Sequence, residues 1–224
     1  MPHSVSIASA LASIRARIAI AATAVGRTPE HITLVAVSKT HPASAISDAI
    51  AAGQTIFGEN RVQEAGQKFP PLLATHPLTK LHLIGPLQTN KAADAVKLAH
   101  TIETLDRPNL ADAIANAADK TGKSPILLIQ VNIGDEPQKS GIPTAGADTF
   151  IRDMRRRFGA ALQGLMCIPP ANAEPAPYFQ HLTQLADTYG LPIRSMGMSA
   201  DFEAAIAHGA THIRIGSAIF GHRD

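Results

Sequence analysis

The chain has 224 residues, a formal charge of +2 at pH 7, 45% apolar and 17% charged residues, and one cysteine. One large α/β domain or two small ones would fit, an internal disulfide is ruled out, and no run reaches the roughly 20 uninterrupted apolar residues of a membrane span. The charge is too mild and too scattered for a nucleic-acid face, whose mark is clustered cations.

In chain order, a first helix is expected over about 4–25, with Ile7, Leu11, Ile14, Ile18 and Val25 on one buried stripe. Arg15 and Arg17 lie inside it and no cleavage site follows a compact apolar core, so it is not read as a secretory signal. The expected location is cytoplasmic. Strand one covers 32–39, and a helix over 43–52 stops at Gly53. Strand two, 55–57, runs into Gly58-Glu59-Asn60, and the next helix, from Arg61 to about Lys68, is expected to end at Pro70-Pro71. Strand three is 81–84, with a helix after Asn90-Lys91; strand four is 100–105, with a helix opening near Pro108. Strand five, 126–133, is the clearest, and a helix over 145–156 follows it. Strand six (162–168), a helix (178–189), strand seven (193–197), a helix (200–208) and strand eight (212–215) complete the series.

Eight strands and seven intervening helices recur at about 25 residues, the rhythm of a single (β/α)8 TIM barrel near its lower size limit of about 200 residues. The whole chain, 1–224, reads as one domain. Nine residues remain after the last strand, too few for an eighth helix, so the N-terminal helix is expected to complete the outer helical ring. An open doubly wound sheet is the alternative, but it wants a glycine-rich first turn, and Ser38-Lys39-Thr40-His41-Pro42 has no glycine.

Lys39 is the residue around which the chemistry gathers. Side chains alternate along a strand, so Val35, Val37 and Lys39 share one side. If that side faces a barrel interior, the amine stands at the carboxyl-terminal mouth, where barrels place their chemistry. A lysine there loses its proton more easily than in water, and the neutral amine attacks a carbonyl to form a Schiff base. The alternative is a solvated lysine that ends a strand. Ser195-Met196-Gly197-Met198-Ser199 and Arg214-Ile215-Gly216-Ser217 end strands seven and eight, where barrels commonly hold a phosphate. Ser199 is placed to cap the helix from Ala200, and Gly216 lets backbone approach an anion. Arg214 interrupts an apolar strand and needs a ligand or a core carboxylate. Asn60 and Asn132 end strands, where an amide orients a ligand or closes a turn. His82, lower on its strand, reads as a satisfied core histidine, Cys167 as a buried inert thiol, and Arg152, Arg155, Arg156 and Arg157 as a solvated helix end. No metal-ligand spacing, Walker loop or Gly-x-Ser-x-Gly element is present.

Assembled, these residues resemble the pyridoxal phosphate homeostasis protein family, small single-domain relatives of the alanine racemase N-terminal barrel. The resemblance runs through Val35 to Lys39, Gly58-Glu59-Asn60 with Val62-Gln63-Glu64, His82 to Lys91, Lys139-Ser140-Gly141, Gly164-Leu165-Met166, Ser195 to Ser199 and Arg214 to Gly221. It implies that Lys39 holds pyridoxal 5'-phosphate as a Schiff base, that Ser199, Gly216 and Ser217 hold its phosphate, that Arg214 faces the pyridine nitrogen, and that Asn60 lies beside the ring. His82 and Met198 join the implied cofactor-binding set. Arg61 departs from the aromatic residue many members carry there. An arginine beside the ring nitrogen opposes its protonation and weakens the ring as an electron sink. Racemases of the related fold add a second base, a tyrosine from an extra β domain; the chain ends before any such domain, and Tyr178 and Tyr189 fall in a predicted outer helix. The expectation is a monomeric carrier or regulator of the cofactor with little or no catalysis, handing it to pyridoxal phosphate-dependent apoenzymes, with no nucleic-acid or membrane partner. A racemase-like enzyme on the same cofactor and a cofactor-free Schiff-base aldolase are the alternatives. Lys91 and Lys139 are candidate transient acceptors, or simply solvated lysines.

Overall fold

Strands that are apolar on both faces need cover on both sides, and the chain supplies it by closing a parallel sheet on itself inside a coat of helices. The computed structural model describes residues 6–221. Its strands are β1 (Thr33–Val37), β2 (Ile56–Glu59), β3 (Lys80–Leu83), β4 (Thr101–Leu105), β5 (Ile126–Asn132), β6 (Ile142–Pro143), β7 (Leu162–Cys167), β8 (Ile193–Ser195) and β9 (His212–Ile215). All but β6 form the ring. Each pairs in parallel with the next, and β9 closes on β1 from Thr33 opposite His212 to Ala36 opposite Ile215. The two-residue β6, absent from the sequence-based expectation, pairs with β5 at Val131 and Asn132.

The helices are α1 (Ile7–Ala24), α2 (Ala43–Ala51), α3 (Val62–Thr75), α4 (Ala92–Leu98), α5 (Pro108–Thr121), α6 (Thr144–Phe158), α7 (Ala176–Thr188), α8 (Phe202–Ala207) and α9 (Ser217–Phe220). Alternation divides each strand. Leu34, Ala36, Phe57, Leu81, Leu83, Ile213 and Ile215 join Leu11, Ile14, Ile46, Phe69 and Phe202 in the buried layer between sheet and helices. Val35, His82, Glu103 and Arg214 occupy the intervening positions and fill the ring.

α1 packs against α2, α8 and α9, completing the outer coat as expected. Ala10, Leu11, Ile14, Ile18 and Ala22 carry its buried stripe, whereas Val25 lies past the last turn and is exposed; expected helical residues 4 and 5 lie outside the described residues. By length and composition α1 is, among the described residues, one helix apolar enough to cross a membrane, with a mean hydropathy of 1.4 over 18 residues. Arg15 and Arg17 on its outer side donate to the Ala52 carbonyl and to Glu203.

Three expectations need correction. The third helix does not stop at Pro70-Pro71 but continues to Thr75. Proline inside a helix forfeits hydrogen bonds, yet buried Phe69, whose ring lies 6.1 Å from that of Phe57, and buried Leu72 anchor the turns on either side. Ser199 is not the cap of α8, which begins at Phe202 after Asp201; the Asp201 carboxylate instead accepts the Met198 N–H at 2.6 Å. A helix does follow the last strand: α9 is a single turn.

Candidate functional site

At the carboxyl ends of the strands the ring opens into a cavity of about 650 Å³. Lys39, Asn60, Met198, Ser199, Arg214, Gly216 and Ser217 line it, together with His41, Gln130, Lys139 and Ser140. Seven of the eight residues singled out for cofactor binding therefore share one space. The eighth, His82, does not line it and lies lower in the ring, as its strand position suggested.

Lys39 reaches the cavity because β1 ends at Val37 and the inward side is continued: Val37 and Lys39 both line the cavity, while the intervening Ser38 is buried. Asn60 is set by a close crossing of two loops. A Cβ on Gly85 would fall 2.4 Å from the Asn60 carbonyl oxygen, so only glycine lets the end of β3 lie against Asn60.

Arg214 is 4% exposed and is held by a chain of polar groups across the ring. One guanidinium nitrogen donates to Ser195 Oγ at 2.7 Å and the other to the Cys167 carbonyl at 2.9 Å. Ser195 Oγ donates in turn to Glu103 Oε2 at 2.6 Å, and Glu103 Oε1 lies 2.7 Å from His82 Nδ1. Burial alone would raise the Glu103 pKa, but His82, Arg214 and Ser195 outweigh it and bring the carboxyl down to about 2. The carboxylate is thus charged, as the charge of Arg214 demands. Beneath His82, with ring centroids 6.0 Å apart, burial lowers His212 to about 4 and leaves it neutral. The sequence offered Arg214 either a ligand or a core carboxylate. It has the carboxylate, through Ser195, and still lines the cavity.

Beside Lys39's strand end, β9, which pairs with β1, and its neighbour β8 build a cradle for an anion. Ser217 Oγ stands 3.4 Å from Ser199 Oγ. The N–H groups of Ser217 and Ala218, at the start of α9, have no carbonyl within the helix to bond. A Cβ on Gly216 would come within 3.3 Å of Val37 Cβ and of its carbonyl oxygen, so glycine keeps this backbone against β1 and open to a ligand. Two hydroxyls and N–H groups not used within the helix suit a phosphate. An amine, an anion cradle and a fixed guanidinium in one cavity fit the functional groups of pyridoxal phosphate.

The remaining expectations divide by geometry. Asn132 closes a turn, its amide bonding the Glu136 carbonyl at 2.8 Å and accepting the Glu136 N–H. Lys139 lines the cavity but is paired with Glu136 at 2.5 Å and donates to the Pro169 carbonyl; Lys91 does not line it. Tyr178 and Tyr189 lie in and beside α7, away from the cavity lining. Arg155, Arg156 and Arg157 are engaged with Tyr189, Asp153 and Asp112, as expected of a helix end at the surface. His41 was missed. It stacks on Phe220 with centroids 5.1 Å apart, a contact between the turn after β1 and the end of α9 that no local pattern announces.

The model of the alanine racemase N-terminal domain family matches residues 10–224. The pyridoxal phosphate homeostasis protein of Escherichia coli (strain K12) is 44% identical over 229 residues, covering 97% of this chain and 97% of the relative. The protein of the same name from Pseudomonas aeruginosa is 40% identical over 224 residues, covering 97% and 96%. Among solved structures, PipY of Synechococcus elongatus PCC7942 with PLP bound superposes with a TM-score of 0.83 at 36% identity, over 96% of this chain and 100% of that one.

Proposed function

Because the chain belongs to the pyridoxal phosphate homeostasis protein family, within the alanine racemase N-terminal-domain barrels, we propose that it binds pyridoxal 5'-phosphate on Lys39 and serves to hold and release that cofactor. The observation that carries the reading is the single cavity lined by Lys39, Ser199, Ser217, Gly216 and Arg214. Bound there, the cofactor supplies an aldehyde and an electron-withdrawing ring. Lys39 contributes the amine that condenses with an aldehyde and releases water. Ser199, Ser217 and the first N–H groups of α9 hold the phosphate, with Gly216 keeping the backbone clear. Asn60 and Met198, which line the cavity, would bound the space for the ring.

Arg214 argues for holding over turnover. Its cation, locked by Ser195 and Cys167, opposes protonation of a ring nitrogen beside it and so weakens the ring's capacity to accept electrons. No tyrosine among the described residues lines the cavity to act as a second base. On this proposal the protein is a carrier with little or no catalysis, delivering cofactor to pyridoxal phosphate-dependent apoenzymes as a monomer in the cytoplasm.

The test is to load the purified protein, remove free cofactor, and mix it with an apoenzyme that needs it. Recovery of the apoenzyme's activity, with no conversion of L-alanine to the D form by the loaded protein alone, is expected. Repeated turnover of L-alanine at ordinary enzymatic rates would overturn the carrier reading.

A further inference from the structure

Behind the cavity wall, three ionisable side chains converge on the turn that carries Lys39. Lys68 Nζ, on α3, donates to the backbone carbonyls of Ser38 at 3.0 Å and His41 at 3.1 Å. The same nitrogen lies 2.6 Å from Glu59 Oε1 and 2.8 Å from Glu64 Oε1. Glu59, fully buried, accepts from Ser38 Oγ at 2.7 Å, and Glu64 Oε1 accepts the Thr40 N–H. Ser38, Thr40 and His41 are therefore each tied to this group, and Lys39 between them is left to point into the cavity.

What the group restrains is unusual. Thr40 has φ 65°, in the left-handed region that β-branched residues avoid, and such a conformation persists only where its surroundings over-determine it. A buried ion pair is weak evidence for added stability, and Glu59 Oε2 is buried here without a hydrogen-bond partner. Specification of one backbone geometry accounts for the arrangement better than stability does.

We propose that Lys68, Glu59 and Glu64 form a positioning clamp that fixes the 38–41 turn in its left-handed form and so aims the Lys39 amine. Its value for pyridoxal phosphate rests on the function proposed above; the restraint on the turn does not.

Two readouts separate these. The first is amide hydrogen exchange at residues 38–41 in protein free of cofactor. The second is the dissociation constant for pyridoxal phosphate from visible absorbance, with borohydride trapping on Lys39. Glu64→Ala is expected to speed exchange at Thr40 and weaken binding about tenfold, the scale of one lost hydrogen bond to a charged group. Glu64→Gln keeps an oxygen for the Thr40 N–H and is expected to stay within about threefold of wild type. Adding Thr40→Gly to Glu64→Ala should restore most of the loss, because glycine adopts positive φ without the Cβ penalty. Lys68→Met, which removes four contacts at once, should weaken binding at least as much as Glu64→Ala. Wild-type binding and exchange in Glu64→Ala, or Glu64→Gln as weak as Glu64→Ala, would overturn the clamp. If wild type traps no pyridoxal phosphate on Lys39 while Glu64→Ala still speeds exchange at Thr40, the cofactor reading fails and the restraint stands.

Discussion

Replacing Glu103 by glutamine removes a buried negative charge that reaches Arg214 through Ser195 and faces His82 inside the ring. The carboxyl is fully buried and its pKa falls from 4.5 to about 2 in the folded state. At about 1.4 kcal/mol for each tenfold change in proton affinity, that depression corresponds to about 3 kcal/mol of stability at neutral pH. The figure meets the lower end of the 3–5 kcal/mol lost when one partner of a buried ion pair is removed. For a chain of this size each kcal/mol moves the melting midpoint by roughly 2–4 °C, so Glu103→Gln should melt about 6–12 °C below wild type. The folded pKa is depressed, so the stabilisation is fully present above about pH 4.5 and is lost as pH falls towards 2. The gap between the two proteins should accordingly narrow on acidification. Thermal unfolding followed by circular dichroism across that range tests both statements. A Glu103→Gln midpoint equal to wild type at neutral pH, or a gap that widens in acid, would refute the assigned charge state.

Other consequences are as direct. Ser199→Ala with Ser217→Ala should weaken pyridoxal phosphate about a hundredfold, at roughly tenfold for each charged hydrogen bond lost, yet leave binding of pyridoxal, which has no phosphate, almost unchanged in an absorbance titration. Gly85→Ala forces a Cβ to 2.4 Å from the Asn60 carbonyl; it should cost about 1–3 kcal/mol in denaturant unfolding and also lower cofactor affinity by displacing Asn60. Burial pushes the Cys167 thiol up to about 12, so a thiol reagent should leave the folded protein unlabelled and modify it only on unfolding.

Much of the barrel was legible because the ring strands β1, β5 and β7 are apolar runs and the shorter ones recur at the same spacing with turn chemistry at their ends. Strand eight, His212 to Ile215, is found with the boundaries read from the sequence. The cavity lining was legible for the same reason, since a strand's last inward position fixes where Lys39, Asn60 and Arg214 must meet. What escaped depends on contacts distant in sequence. Proline chemistry ends α3 too early, because the packing of Phe69 on Phe57 is a tertiary fact. Ser199 looked like a cap because Ser-Ala-Asp is ambiguous, and the carboxylate of Asp201 took the local N–H instead. Glu103 left a faint signal: in Thr101-Ile102-Glu103 the polar residues alternate within a strand, as inward-facing polar groups would. Alternation cannot reveal that its partners are Ser195, 92 positions away, and His82. The Lys68 clamp was likewise invisible, since helix α3 reads as an ordinary polar helix.

The central claim is that the Lys39 amine carries pyridoxal phosphate. The most direct measurement is the visible spectrum of the loaded protein before and after borohydride, followed by mass-spectrometric mapping of the reduced adduct, with Lys39→Ala alongside. A coloured band that reduction removes, an adduct on Lys39 alone, and no band in Lys39→Ala are predicted. An adduct on another lysine, or an unchanged band in Lys39→Ala, would contradict the account.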